Sequence, residues 1–173
     1  FLLLKIMKVF ENKENQLPKK NQVLFISDWR APTLKRKIEY DIETTPLQIR
    51  TWADNDGSQL WIKFLNANSN QVFSMNFKFN NEFKVWISQD CNNGNETAFM
   101  KNVPTDHYKT WTVYKSSTEM KIECNDVEVW SIEYRSISEG CHNELSKDTS
   151  KLLFNEANNR KPPSPTIFYR PAG

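Results

Sequence analysis

Residues 109–134, KTWTVYKSSTEMKIECNDVEVWSIEY, constrain this chain more than any other stretch. Apolar and polar residues alternate through three short runs, the period of a strand with one buried face. Two polar pairs, Ser116-Ser117 and Asn125-Asp126, separate the runs. Asn and Asp tolerate positive φ, so Asn125-Asp126 fits a two-residue hairpin turn. Two-residue loops place Val113 opposite Met120 and Trp111 opposite Ile122. Across the second turn they place Cys124 opposite Val127 and Ile122 opposite Val129. These side chains then share one face. Thr112, Tyr114, Glu119, Lys121, Glu123, Glu128, Trp130 and Ile132 take the other. The expectation is a three-stranded meander within a β-sandwich.

The preceding chain repeats the pattern. Val23 to Trp29 reads as a strand, ended by Pro32. Residues 37–43 alternate, with Ile38, Tyr40 and Ile42 on one face, until Pro46. Leu47 to Ala53 and Leu60 to Leu65 flank Asp56-Gly57 and read as a hairpin. That pairing sets Thr51 opposite Ile62, and Trp52 opposite Trp61 beside Arg50 and Lys63. Residues 72–79, VFSMNFKF, put Phe73, Met75, Phe77 and Phe79 inward and Ser74, Asn76 and Lys78 outward. Residues 83–88 put Phe83, Val85 and Ile87 inward and Lys84, Trp86 and Ser88 outward. A polar loop and a short strand near 98–103 lead into the meander. The expected core comprises Phe73, Phe77, Val85, Ile87, Trp111, Ile122 and Val129.

The ends read differently. Residues 1–22 form an N-terminal segment, in which FLLLKIMKVF is either a first strand or the remnant of a signal peptide. Residues 23–140 form the sandwich. Residues 141–173 form a C-terminal extension that packs on the sandwich or bridges from it. Within it, residues 146–157 suit one short helix capped by Ser146, although KLLF also suits a strand. Arg160 to Pro165 is Pro-rich, and Thr166 to Tyr169 suits a last strand at a sheet edge.

The chain has 173 residues, enough for one domain with a proper core. A formal charge of +2 gives no electrostatic footprint for nucleic acid. No apolar run reaches the ~20 residues of a bilayer span. Three cysteines allow one internal disulfide. Cys124 shares the face of Met120 and Ile122 and is expected as a buried thiol. Cys91 and Cys141 lie in loop-like sequence and are the expected pair. Asn95-Glu96-Thr97 is a glycosylation sequon at Asn95. These features favour an extracellular protein, with leaderless export from the cytoplasm as the alternative.

Catalytic signals are sparse. His107 and His142 are the two histidines. No nucleophile elbow, zinc-binding histidine motif or phosphate-cradling glycine loop is present, and the chain holds four glycines. Asp54 to Ser58 resembles part of a calcium loop, but Trp52 falls where the first carboxylate belongs. No cofactor or metal is expected. A glycosidase built from scattered carboxylates is the least favoured class.

The order of pieces resembles galectins, members of the concanavalin A-like jelly rolls, from Leu60 to Arg135. The family strand carrying His-x-Asn-Pro-Arg, followed by Phe, is similar to Ser74-Met75-Asn76-Phe77-Lys78-Phe79. The next strand, Lys84 to Gln89, and the loop Asn95-Glu96-Thr97 resemble the pieces ending in Trp-Gly-x-Glu-x-Arg. Asn76 and Glu96 keep their residue type. Ser74, Phe77 and Lys78 stand where the family has His, Pro and Arg, and the tryptophan of the family loop is absent. The resemblance implies an all-β jelly-roll sandwich of two antiparallel sheets. It also implies a non-enzymatic module that binds a carbohydrate or glycoprotein. Ser74, Asn76, Lys78, Trp86, Ser88 and Glu96 are its candidate contacts. Arg50, Trp52, Trp61 and Lys63 form the rival surface. The alternative is a self-assembling structural protein of an extracellular matrix, favoured by the outward tryptophans and the long terminal segments.

Overall fold

The computed structural model describes residues 28–52, 59–78, 82–87, 97–99, 108–156 and 166–172. Their strands are β1 (Lys37–Glu39), β2 (Leu47–Trp52), β3 (Gln59–Leu65), β4 (Gln71–Lys78), β5 (Glu82–Ile87) and β6 (Thr97–Phe99). The meander supplies β7 (Tyr108–Lys115), β8 (Glu119–Cys124) and β9 (Val127–Glu133). A 3-10 turn (Tyr134–Ser136) and helix α1 (Glu139–Leu145) precede β10 (Lys151–Glu156) and β11 (Thr166–Pro171). All strand pairs are antiparallel. The six-stranded sheet runs β1-β10-β3-β4-β5-β6, and the five-stranded sheet runs β11-β2-β7-β8-β9.

Alternation decides which side chains meet between the sheets. Ile62, Phe64, Phe73, Met75, Val85, Leu152 and Phe154 come from one sheet, and Leu47, Ile49, Trp111, Val113, Met120 and Ile122 from the other; all are buried. Phe64 stacks on Phe73 at 4.0 Å between ring centroids. Val72 is the extra residue where the β3–β4 register shifts, so it too is buried. Of the other expected core positions, Phe77 and Ile87 have side chains outside the described set.

The turn at Asn125-Asp126 has the expected geometry, with φ of 51° and 65°. Both residues are left-handed, as a two-residue hairpin of this twist requires. Asn125 also clips the neighbouring strand: its Oδ1 accepts from Thr110 N at 3.1 Å, and its own N–H donates to Thr110 O at 2.8 Å. The first turn is longer than two residues. Ser116 N–H donates to Glu119 O, and the Ser116 hydroxyl accepts from Thr118 N and Glu119 N. Register therefore moves by two, pairing Val113 with Ile122 and Trp111 with Cys124. An even shift leaves the faces unchanged.

Four expectations need correction. In β9 the register slips at Val129, so Ile122 lies opposite Trp130 instead of Val129, and Met120 opposite Ile132. One extra residue reverses parity beyond it. Trp130 and Ile132 thus pack partly buried against the core rather than outward, and Val129 is half-buried. Second, β2 and β3 are not a hairpin. Thr51 pairs with Lys109 and Ile167, while Ile62 pairs with Met75 and Phe154. The chain between them, which includes Asp56-Gly57, lies outside the described residues, and β2 and β3 belong to different sheets. Inward parity is the same in both arrangements, so alternation did not distinguish them. Third, the helix is 139–145, not 146–157. Ser138 caps it by accepting from Cys141 N, and Ser146 is its C-cap. KLLF is a strand wedged between β1 and β3, where Leu152 and Phe154 reach the core. Fourth, β1 ends at Glu39. A turn follows in which Asp41 accepts from Thr44, and Ile42 is buried from that turn.

The last strand lies where expected, at a sheet edge. β11 pairs with β2, and Arg30 bridges to Tyr169 beyond it. Residues 23–27 of the expected first strand lie outside the described residues.

Candidate functional site on the six-stranded sheet

The outer face of the six-stranded sheet takes every second residue not in the core. On β10 these are Lys151, Leu153 and Asn155; on β3 they include Trp61 and Lys63; on β4, Ser74 and Asn76. Register sets Lys63 between Leu153 and Ser74 and sets Trp61 between Asn155 and Asn76. Ser74 is also opposite Trp86, and Asn76 opposite Lys84. Two residues of the rival surface, Trp61 and Lys63, therefore share one face with Ser74 and Asn76. Trp61 and Lys63 adjoin Asn76 and Ser74 directly.

Accessibility on that face is uneven. Trp61, Lys63, Leu153 and Asn155 are half-buried. Ser74 is 0% exposed and Asn76 2%, which corrects their reading as open contacts. Parity turns them away from the core, but they are short side chains on an interior strand. Residues with longer side chains, Lys63 and Trp61, flank them in register on β3. Among the described residues Ser74 Oγ has no hydrogen-bond partner. Lys78 and Trp86 belong to β4 and β5 by their backbones. Ser88, Cys91, Asn95, Glu96 and His107 lie outside the described residues.

Arg50 and Trp52 belong to the other sheet, which corrects their grouping with Trp61 and Lys63. Arg50 is 4% exposed; its Nε donates to Thr110 Oγ1 at 3.0 Å, and its guanidinium lies 4.6 Å from the Trp29 ring centre. Arg170 covers the same ring at 4.2 Å and is held by Gln48 and Asp28. Nothing in the local sequence near Trp29 signalled this stack, because its partners are 21 and 141 positions away. Asn155 and Leu153 were missed for a similar reason: they join the surface only because β10 inserts beside β3.

A cleft of about 260 Å³ lies elsewhere, lined by Thr118, Glu119, Glu133, Arg135 and His142. Glu119 and Glu133 are register partners, and Arg135 Nε donates to Glu133 Oε2 at 2.9 Å. The cleft sits at the β8–β9 edge of the five-stranded sheet, away from the Trp61 face. Among the described residues no cluster of His, Cys, Asp and Glu could hold a metal ion. No helix among them is long and apolar enough to cross a membrane.

Cys124 is a buried free thiol, and burial pushes its pKa up to about 12. The ammonium of Lys109, 3% exposed, is shifted downward by burial, with the nearby Cys124 opposing. Cys141 is disulfide-bonded.

No family model matches this sequence, and no curated protein matches it. Solved structures do match the fold. A tetrameric galectin from the ball sponge Cinachyrella sp. superposes with a TM-score of 0.59 at 11% identity, over 80% of this chain and 99% of that one. Galectin LEC-6 of Caenorhabditis elegans gives 0.52 at 10%, over 86% and 98%. An apo Crh5 transglycosylase gives 0.53 at 8%, over 84% and 72%. At such identities the likeness is one of fold, and the fold is a galectin-like jelly-roll sandwich.

Proposed function

We propose that this chain is a non-enzymatic glycan-binding module whose site is the outer face of the six-stranded sheet. The observation that carries the reading is the register of β10, β3 and β4, which sets Trp61 and Lys63 beside Asn155, Asn76 and Ser74. A sugar is held by hydrogen-bonding side chains beside an aromatic surface, since its ring has apolar C–H faces and polar edges. Trp61 supplies the aromatic surface; Asn155 and Lys63 supply polar groups at half-buried positions. The galectin-like fold of the sponge and nematode proteins supports the same reading. On it the accessible part of the site lies on β10 and β3, and Trp86 extends it in register past Ser74. The disulfide at Cys141 supports an oxidising, extracellular setting.

A glycan array with the full chain tests this. Binding to at least one glycan class is expected, and Trp61→Ala should weaken it by about 1 kcal/mol or more through lost aromatic contact. Binding that survives Trp61→Ala unchanged would move the site off this face. A second reading, self-assembly, is favoured by β9. It is an edge strand of its sheet, and its Val127 is 65% exposed. The sponge galectin is itself described as tetrameric. Light scattering at rising concentration decides it: a constant monomer mass counts against assembly.

A further inference from the structure

We infer that the ligand of this face is an acidic glycan, a linear polysaccharide with one carboxylate per disaccharide repeat; the inference rests on the glycan-binding reading above. Lys37 of β1 and Lys63 of β3 both lie opposite Leu153 of β10. Parity puts all three on the outer face, since Leu152 and Ile62 occupy the core. Two cations therefore flank one apolar side chain across two strand spacings, ~9.5 Å. Lys37 is exposed, and Lys63 and Leu153 are half-buried. Among the described residues neither lysine makes an ion pair. Lys151 adds a third cation on the same face, its Nζ donating to Ala67 O at 3.1 Å.

Glu39 is the one carboxylate among the described side chains of that face on β1, β10 and β3. Three lysines less one glutamate give this patch a charge of +2, equal to that of the whole 173-residue chain. Glu39 lies opposite Lys151, and a patch with a net positive charge raises the local concentration of a polyanion. The lysine separation is comparable to the length of a disaccharide. Successive carboxylates can then meet Lys37 and Lys63 while the sugar between them crosses Leu153. Lysine suits this task, because its ammonium is a point charge on a flexible stem that follows a mobile polymer. Trp61, next along β3, receives the adjoining ring.

The test is a titration of the full chain with three probes. They are an alternating glucuronate–N-acetylglucosamine hexasaccharide, a neutral N-acetylglucosamine hexasaccharide and poly-glutamate of matched charge. The uronate oligosaccharide should bind roughly tenfold more tightly than the neutral one, about what two exposed ion pairs supply. Lys37→Gln/Lys63→Gln should remove that preference and the salt sensitivity of binding while the denaturation midpoint is kept. Equal binding of the two oligosaccharides, or a double variant that keeps the preference, overturns the acidic ligand and leaves the glycan module standing. Poly-glutamate binding as tightly as the uronate chain also overturns it, since charge alone is then read. If neither oligosaccharide binds and the array is also blank, the glycan-binding reading fails and this inference with it.

Discussion

Lys115 Nζ lies 2.6 Å from Glu43 Oε1, joining β7 to the turn after β1 across 72 positions of sequence. The lysine side chain is fully buried and the glutamate 22% exposed. Lys147 O accepts a second bond from the same ammonium at 2.9 Å, and Glu43 accepts from Thr149 N. The pair thus ties two connecting segments, the turn at Glu43 and the 146–150 connection, to one strand end. Removing a single partner of a buried pair costs more than the pair is worth, because the other charge stays behind. Lys115→Met should destabilise by about 3 kcal/mol in urea titration. Lys115→Met with Glu43→Gln should recover part of that loss. A single variant within about 0.5 kcal/mol of wild type would mean the charges are solvated.

The Asn125-Asp126 turn offers a stabilising change. Asp126 holds φ at 65°, where a Cβ is strained and glycine is not. Asp126→Gly should raise stability by about 0.5–1 kcal/mol. Asn125→Gly should not, because the Asn125 side chain accepts from Thr110 N. Thermal unfolding of the two variants side by side reads the difference, and equal midpoints would contradict it.

Alkaline pH should weaken the fold through Cys124. Burial raises its thiol from 9.0 to about 12, so the folded state keeps a proton that the unfolded state loses. Its contribution is complete below about pH 9 and is lost as pH rises toward about 12. Tyr40, also pushed up to about 12 by burial, acts in the same direction above its ordinary 10.0. Lys109 acts oppositely, since burial lowers its pKa. Comparing wild type with Cys124→Ala isolates the thiol. The stability difference between them should change in favour of the alanine variant from about pH 9 to about pH 11. A pH-independent difference would mean the thiol is open to solvent.

We propose Cys91 as the partner of Cys141, the pairing expected from loop-like sequence. Cys124 is free and Cys141 is bonded. Peptide mapping without reductant should recover residues 91 and 141 in one cross-linked peptide and Cys124 as a thiol. Recovery of Cys91 as a free thiol would refute the pairing.

Alternation along each strand was legible in the sequence, and with it most of the inward side chains. Phe73, Met75, Trp111, Ile122 and Cys124 are buried because the two-residue period is a property of the extended backbone itself. The second hairpin turn was equally local: Asn125-Asp126 closes it with backbone angles those two residues tolerate.

What the tertiary structure decided is non-local. Whether β2 pairs with β3 or crosses to the other sheet depends on which strands compete for its edges, and β7 and β11 won. The bulge at Val129 turned Trp130 and Ile132 inward through one added residue that no pattern marked. Above all, Ser74 and Asn76 face away from the core yet are covered. Parity assigns a side chain to a face, but its contact with water depends on the neighbours that register brings alongside. For this protein those neighbours cover Ser74 and Asn76 and leave Trp61, Lys63 and Asn155 half-buried, on strands that only the folded chain sets together.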